Sequence, residues 1–237
     1  MPIILSALIL GFVFGFNDKS EVFIPSFWLQ NYIQQAVLSL LFLVLFIAIT
    51  ISYSKKHGVT TRFAIWSIKK TGFTKSAVLS GKGLPIGMII PLFASVMSYG
   101  KVLFAATLSP DFVHTSSSRF GKKFVSPKES ELASISMIGP MSLALLGIFF
   151  SSFKEISIDN LSLIPFAIAI CTMLPFPGLN GITALVGSPV RYLLAMTFIL
   201  SAFFLTYILT PIQALILGFI MSIILTCFHY VYSYVFK

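Results

Sequence analysis

Acidic residues are scarce in this chain: 7 Asp and Glu stand against 16 Lys and Arg in 237 residues, for a net charge of +9. Charged residues of either sign make up 10% of the sequence and hydrophobic ones 57%, with a mean hydropathy of +0.97. So little charge excludes a soluble globular domain, because the apolar runs would aggregate in water. Cysteine is nearly absent as well. Cys171 and Cys227 each sit in an apolar run without CxxC spacing, which excludes a disulfide framework and makes them small buried hydrophobes. Strand-like alternation is missing from the runs, which argues against an outer-membrane barrel. No solenoid-length repeat, low-complexity tract or separate soluble domain occurs.

What the chain does have is length of apolar run. Pro2–Phe16, Tyr32–Ser54, Glu131–Phe150, Leu161–Pro175, Val190–Thr210 and Pro211–Tyr234 are candidate spans. Together they predict an all-α polytopic membrane protein, one integral domain over residues 1–237, with about six crossings and the lipid bilayer as its partner. Pro2–Phe16 is shorter than the ~20 residues a crossing usually takes. A short or tilted first span is expected over a secretory signal peptide, since the start is not basic and NDKSEV offers no small-residue cleavage site. Trp28, Tyr230, Tyr232 and Tyr234 fall at span ends, as interfacial anchors do.

The basic excess flanks these spans, so it points to membrane orientation and not to nucleic acid. Lys55, Lys56, Arg62, Lys69, Lys70, Lys75 and Lys82 lie between Ser54 and Leu84 with no acid among them. Arg119, Lys122, Lys123 and Lys128 lie between Leu108 and Glu131. In contrast, Asp18, Lys19 and Glu21, and likewise Lys154, Glu155 and Asp159, give two poorly basic loops that belong outside. Both basic loops are then cytoplasmic, and so are both termini, in what is expected to be the cell membrane. Leu84–Leu108 must therefore enter and leave by one face, as a re-entrant loop or tight hairpin; a tilted, kinked span is the alternative. Pro85, Gly87, Pro91 and Gly100 interrupt a continuous helix there, and Lys101 suits a returning arm near headgroups.

Three segments carry a family resemblance. Tyr32–Ser54 runs into KKHGVTTRFAIW (Lys55 to Trp66); ELASISMIGPMSLALLGIFF (Glu131 to Phe150) contains a Gly-Pro step among small neighbours; TMLPFPGLNG (Thr172 to Gly181) is a proline-rich break ending in Asn-Gly. In this order and spacing they resemble the site-2 protease family of intramembrane zinc metalloproteases, over a core of about residues 32–203, with C-terminal helices over 190–236. The resemblance implies a small strand pair in the basic loop. It also implies an HExxH helix whose histidines, four apart on one face, bind zinc beside a general-base Glu, with a downstream Asp as third ligand.

The departures from that pattern dominate. Tyr32–Ser54 holds no His, Glu, Asp or Cys. The family spacing, counted back from Gly58, places the motif at Phe46-Ile47-Ala48-Ile49-Thr50, so Phe46 and Thr50 replace the histidines and Ile47 the base. Asn180 stands where the aspartate is expected and Thr172 where an asparagine is. An amide is a poor zinc ligand beside a carboxylate, so no metal and no cofactor are expected. His57, His114 and His229 are the only histidines, and loop or interfacial roles suit them better than a rebuilt site. Glu129 and Glu131 precede a span and bias a helix N-terminus.

Retained parts suggest a groove. Pro175, Phe176, Pro177, Gly178, Asn180 and Gly181 free backbone groups beside the membrane, and such irregular backbone must be buried in protein or line a cavity. With Leu84–Lys101 they are expected to receive a client helix or strand, or else merely to kink the bundle. The expected function is that of a pseudoprotease that binds or chaperones membrane segments. An active metalloprotease with an unconventional site and a small membrane transporter are the alternatives; the spans offer mainly Ser and Thr and almost no charge for a transport path.

Overall fold

The computed structural model describes residues 1–17, 24–68, 83–114, 128–153 and 160–235. Asp18, Lys19, Glu21, Lys69, Lys70, Lys75, Lys82, Arg119, Lys122, Lys123, Lys154, Glu155 and Asp159 lie outside the described residues. In chain order the elements are α1 (Pro2–Gly15), α2 (Pro25–Lys56), β1 (Val59–Ile65), α3 (Ile86–Met97), β2 (Leu108–His114), α4 (Glu129–Ser151), α5 (Leu163–Thr172), α6 (Asn180–Gly187), α7 (Pro189–Ile208) and α8 (Pro211–Val235). The protein is mainly helical with one antiparallel strand pair.

Among the described residues four helices, α2, α4, α7 and α8, are long and apolar enough to cross a membrane. α2 begins seven residues before the expected Tyr32. Pro25 at its first turn has a preset φ and lacks only an N–H that would have no helical partner there. α1 has 14 residues and α5 has 10, about 21 and 15 Å of helix, and both are short of a full crossing.

Glycines set how the long helices meet. Gly11 of α1 lies on Ala36 of α2 and Gly15 on Tyr32, so the two helices run antiparallel with their backbones close. α4 is also antiparallel to α2: the Phe150 ring meets Phe42 at 5.6 Å, while Gly139 lies on Phe46 and Thr50. Along the other side of α4, Gly147 receives the Phe166 ring of α5, Ser136 receives Asn180, and Gly187 lies on the Glu129 carbonyl. α5, the proline break and α6 thus form one interrupted passage antiparallel to α4. This corrects the expected span Leu161–Pro175. The helix does stop near Pro175, but Leu179 is extended and a new helix starts at Asn180, which carries the chain on to the far end of α4.

The strand pair is placed differently from the expectation. β1 lies in the basic segment, but its partner β2 begins at Leu108, after the apolar stretch, with Val59 opposite His114 and Ile65 opposite Leu108. Gly58, at φ +70°, reverses the chain after α2, so β1 doubles back along that helix and puts the Phe63 ring 5.5 Å from Phe46. The stretch between the strands leaves and returns at one residue. Gly87 N–H donates to the Trp66 carbonyl (2.8 Å), and Trp66 N–H donates to the Thr107 carbonyl (2.9 Å). Pro91 sits inside α3 without ending it. The turn comes at Tyr99 and Gly100, both at positive φ, and Gly100 packs on Asn17 just past α1. Lys101 is exposed at that tip.

The ends of the bundle sort consistently. Asn160 Nδ2 donates to the Phe14 carbonyl (3.4 Å), so the chain after α1 and the chain before α5 share one end. α8 packs on α7 through small residues, with Ser201 Oγ donating to the Gly218 carbonyl (3.1 Å), and leaves its large apolar side chains exposed.

Candidate functional site

α4 is where Phe46, Thr50 and Asn180 meet. Phe46 and Thr50, one turn apart on α2 and both buried, cover Gly139. A Cβ at Gly139 would come within 2.6 Å of the Phe46 ring and nearer still to the Thr50 hydroxyl. One turn earlier on α4, the Ser136 carbonyl accepts Asn180 Nδ2 at 2.8 Å. Asn180 is 1% exposed, and its Oδ1 has no hydrogen-bond partner among the described residues. The structure therefore brings Phe46, Thr50 and Asn180 onto adjacent turns of one helix. Ile47 is buried in the surrounding apolar core.

The donors at this junction do not suit zinc. Phe46 and Ile47 have no lone pair to offer. The Thr50 hydroxyl donates to the Phe46 carbonyl (2.8 Å) and the Thr172 hydroxyl to the Ile168 carbonyl (2.7 Å), the i−4 bonds that such side chains make within helices. Asn180 supplies one neutral oxygen, and a dication in an apolar site needs anionic or imidazole ligands. Among the described residues there is no group of three His, Cys, Asp or Glu that could hold a metal. His57 caps α2 with its ring 4.8 Å from Tyr53; His114 ends β2 and His229 lies on α8.

The break itself is level with the middle of α4, since Asn180 pairs with Ser136 and Phe166 with Gly147. Its freed carbonyls are nearly all taken up within the protein, the first of the two arrangements expected for such backbone. Tyr192 Oη donates to Met173 (3.0 Å), Phe176 N–H to Leu174 (2.8 Å) and Leu179 N–H to Phe176 (3.1 Å). Trp66 Nε1 donates to the Pro177 carbonyl at 2.8 Å, and Ser109 Oγ to that of Gly178. Gly181 lies against the Met173 and Leu174 carbonyls, with no room for a Cβ. The strand pair thus reaches back to mid-bundle and satisfies backbone that would otherwise lie unpaired in an apolar setting.

What stays open is a row of side chains. Pro175 to Gly178 are exposed, and the Phe176 ring stacks on Trp66 (6.2 Å), which also faces Phe104 (6.3 Å). Trp66 and, on the returning arm, Phe104 thus stand beside the break. Nothing local in the sequence marks Trp66: it follows an amphipathic strand, and its three roles depend on residues more than twenty positions away. No family model matches the chain, and no curated protein or solved structure matches it significantly.

Proposed function

We propose that the chain is a non-catalytic, site-2-protease-like membrane protein that binds membrane segments of other proteins. The observation that carries this reading is the 2.8 Å bond from Asn180 to the Ser136 carbonyl, one turn from the Gly139 contact with Phe46 and Thr50. Three positions that the resemblance assigns to zinc ligands thus pack against one stretch of α4 as an aromatic ring, a self-bonded hydroxyl and an amide, and the base position is a buried aliphatic chain, Ile47. Six passes follow in this reading: α1, α2, α4, the interrupted α5–α6, α7 and α8, with α3 a re-entrant excursion and both termini cytoplasmic in the cell membrane.

Because the break's carbonyls are mostly paired internally, a client is held chiefly by the exposed Phe176, Pro175 and Pro177 side chains. A helical client, which needs no backbone partners from its host, suits that surface. A photo-crosslinker at Phe176 in native membranes tests it: capture of a membrane-protein segment supports the proposal, and a clean absence of adducts counts against it. Metal analysis tests the other half. Stoichiometric zinc in the purified protein, lost on Asn180→Ala or His57→Ala, would replace this proposal with an active metalloprotease.

A further inference from the structure

A groove of about 380 Å³ opens between α2 and α4, lined by Ala48, Ile49, Ser52, Tyr53, Lys56 and Ile138, none of which belongs to the break. Its volume lies in the range of small-ligand sites, about 300–1,000 Å³. The lining is graded along its length. Ala48 and Ile49 are apolar, Ser52 and Tyr53 follow one turn later, and Lys56 closes the row at the last residue of α2. Those residues recur at helical spacing on one face, and Ile138 of α4 faces them. From Ala48 to Lys56 is about 12 Å along the axis, enough for the headgroup-proximal part of an acyl chain in a leaflet of about 15 Å of hydrocarbon, with the headgroup end at Lys56.

We infer that this groove binds one anionic phospholipid, its chain against Ala48, Ile49 and Ile138 and its phosphate on Lys56 and Tyr53. Charge argues for the anionic class: the lining holds one cation and no acid. Among the described residues the acids are Asp111, Glu129 and Glu131. Asp111 stands opposite Arg62 in the strand register, and Glu131 accepts the Lys128 N–H at 3.3 Å. Glu129 and Glu131 share this end of the bundle but do not line the groove. The His57 ring beside Tyr53 backs the phenol at the groove mouth, leaving its hydroxyl to donate to a phosphate oxygen. Apolar walls select a lipid over free phosphate, because phosphate alone leaves them uncovered.

The inference rests on the groove alone and is independent of client binding. The full-length protein, purified in detergent, is offered equal phosphatidylglycerol and phosphatidylcholine and examined by native mass spectrometry. One phosphatidylglycerol should be retained about fivefold over phosphatidylcholine, the factor that one lysine near an anionic surface supplies. Lys56→Ala should abolish that preference, while Lys55→Ala, in the same turn but off the groove, should preserve it. Ile138→Trp should lower retention of both lipids. Equal retention of the two lipids, equal effects of Lys55→Ala and Lys56→Ala, or displacement by excess inorganic phosphate would each overturn the inference.

Discussion

The Trp66 indole N–H donates to the Pro177 carbonyl at 2.8 Å, across 111 positions of sequence. Trp66 also holds both ends of the α3 excursion through its backbone. One residue thus joins the strand pair, the excursion and the helix break, and the three should loosen together.

Trp66→Phe keeps the ring stack but removes the indole donor. The Pro177 carbonyl is left unpaired, which should cost about 1–3 kcal/mol. Hydrogen exchange at Phe176 and Leu179 should quicken, and Ser109→Ala, which frees the neighbouring Gly178 carbonyl, should act in the same direction. Unchanged exchange in both variants would show that the strand pair does not brace the break.

At Gly139, α4 lies directly against Phe46 and Thr50 of α2, with no room for a Cβ. Gly139→Ala should destabilise by about 1–3 kcal/mol through overpacking, and Phe46→Leu in the same chain should recover part of that loss. A double-mutant cycle in detergent-unfolding measurements reads the coupling, expected at about 0.5–3 kcal/mol for side chains in contact. Strict additivity would contradict the contact.

Asn180→Asp exchanges a donor for a carboxylate facing the Ser136 carbonyl in a buried site. An uncompensated buried charge of this kind should cost about 3–5 kcal/mol. If Phe46, Ile47, Thr50 and Asn180 are the degenerate metal positions, the combined variant Phe46→His, Ile47→Glu, Thr50→His and Asn180→Asp should retain zinc and be stabilised by it. Elemental analysis and unfolding with and without chelator provide the check; no zinc in a folded combined variant would count against the descent.

Two glycines of the break should differ in cost. Gly178 has φ +88°, and a Cβ there would lie 3.2 Å from the Trp66 ring, a side chain that must give by a few tenths of an ångström, so Gly178→Ala pays backbone strain of about 1–2 kcal/mol and some crowding of the indole. At Gly181 a Cβ would run into the Met173 and Leu174 backbone carbonyls, which cannot swing aside as a side chain does. Gly181→Ala should therefore be the more damaging, in thermal stability and in yield of folded protein.

The excursion makes a topological prediction. Gly100 packs on Asn17, so cysteines introduced at Lys101 and Asn17 should react with an impermeant reagent from the same side of sealed vesicles. Labelling from opposite sides would refute the packing of the tip beside the end of α1.

Composition and run length were enough to predict a mainly helical chain with membrane-crossing helices, because apolar stretches near twenty residues have few other stable fates, and among the described residues four helices are long and apolar enough to cross. The long helices appeared close to their expected bounds, and the absence of ligands in Tyr32–Ser54 needed no structure at all. Shorter elements were less legible. Of the expected interruptions, Gly100 does make the turn, beside Tyr99, but Pro91 sits sixth of the twelve residues of α3 and the helix continues through it, without the N–H that would bond the Gly87 carbonyl. The passage formed by α5 and α6 looked like a span ending at Pro175 because hydropathy does not register a helix that stops and restarts. Nor could the residues alone show that Phe46, Thr50 and Asn180 share α4, or that the freed carbonyls of the break are met by Trp66, Ser109 and Tyr192. Those pairings join distant segments, and they form because unpaired backbone in an apolar interior is costly enough to draw in whichever donor the packed chain brings near.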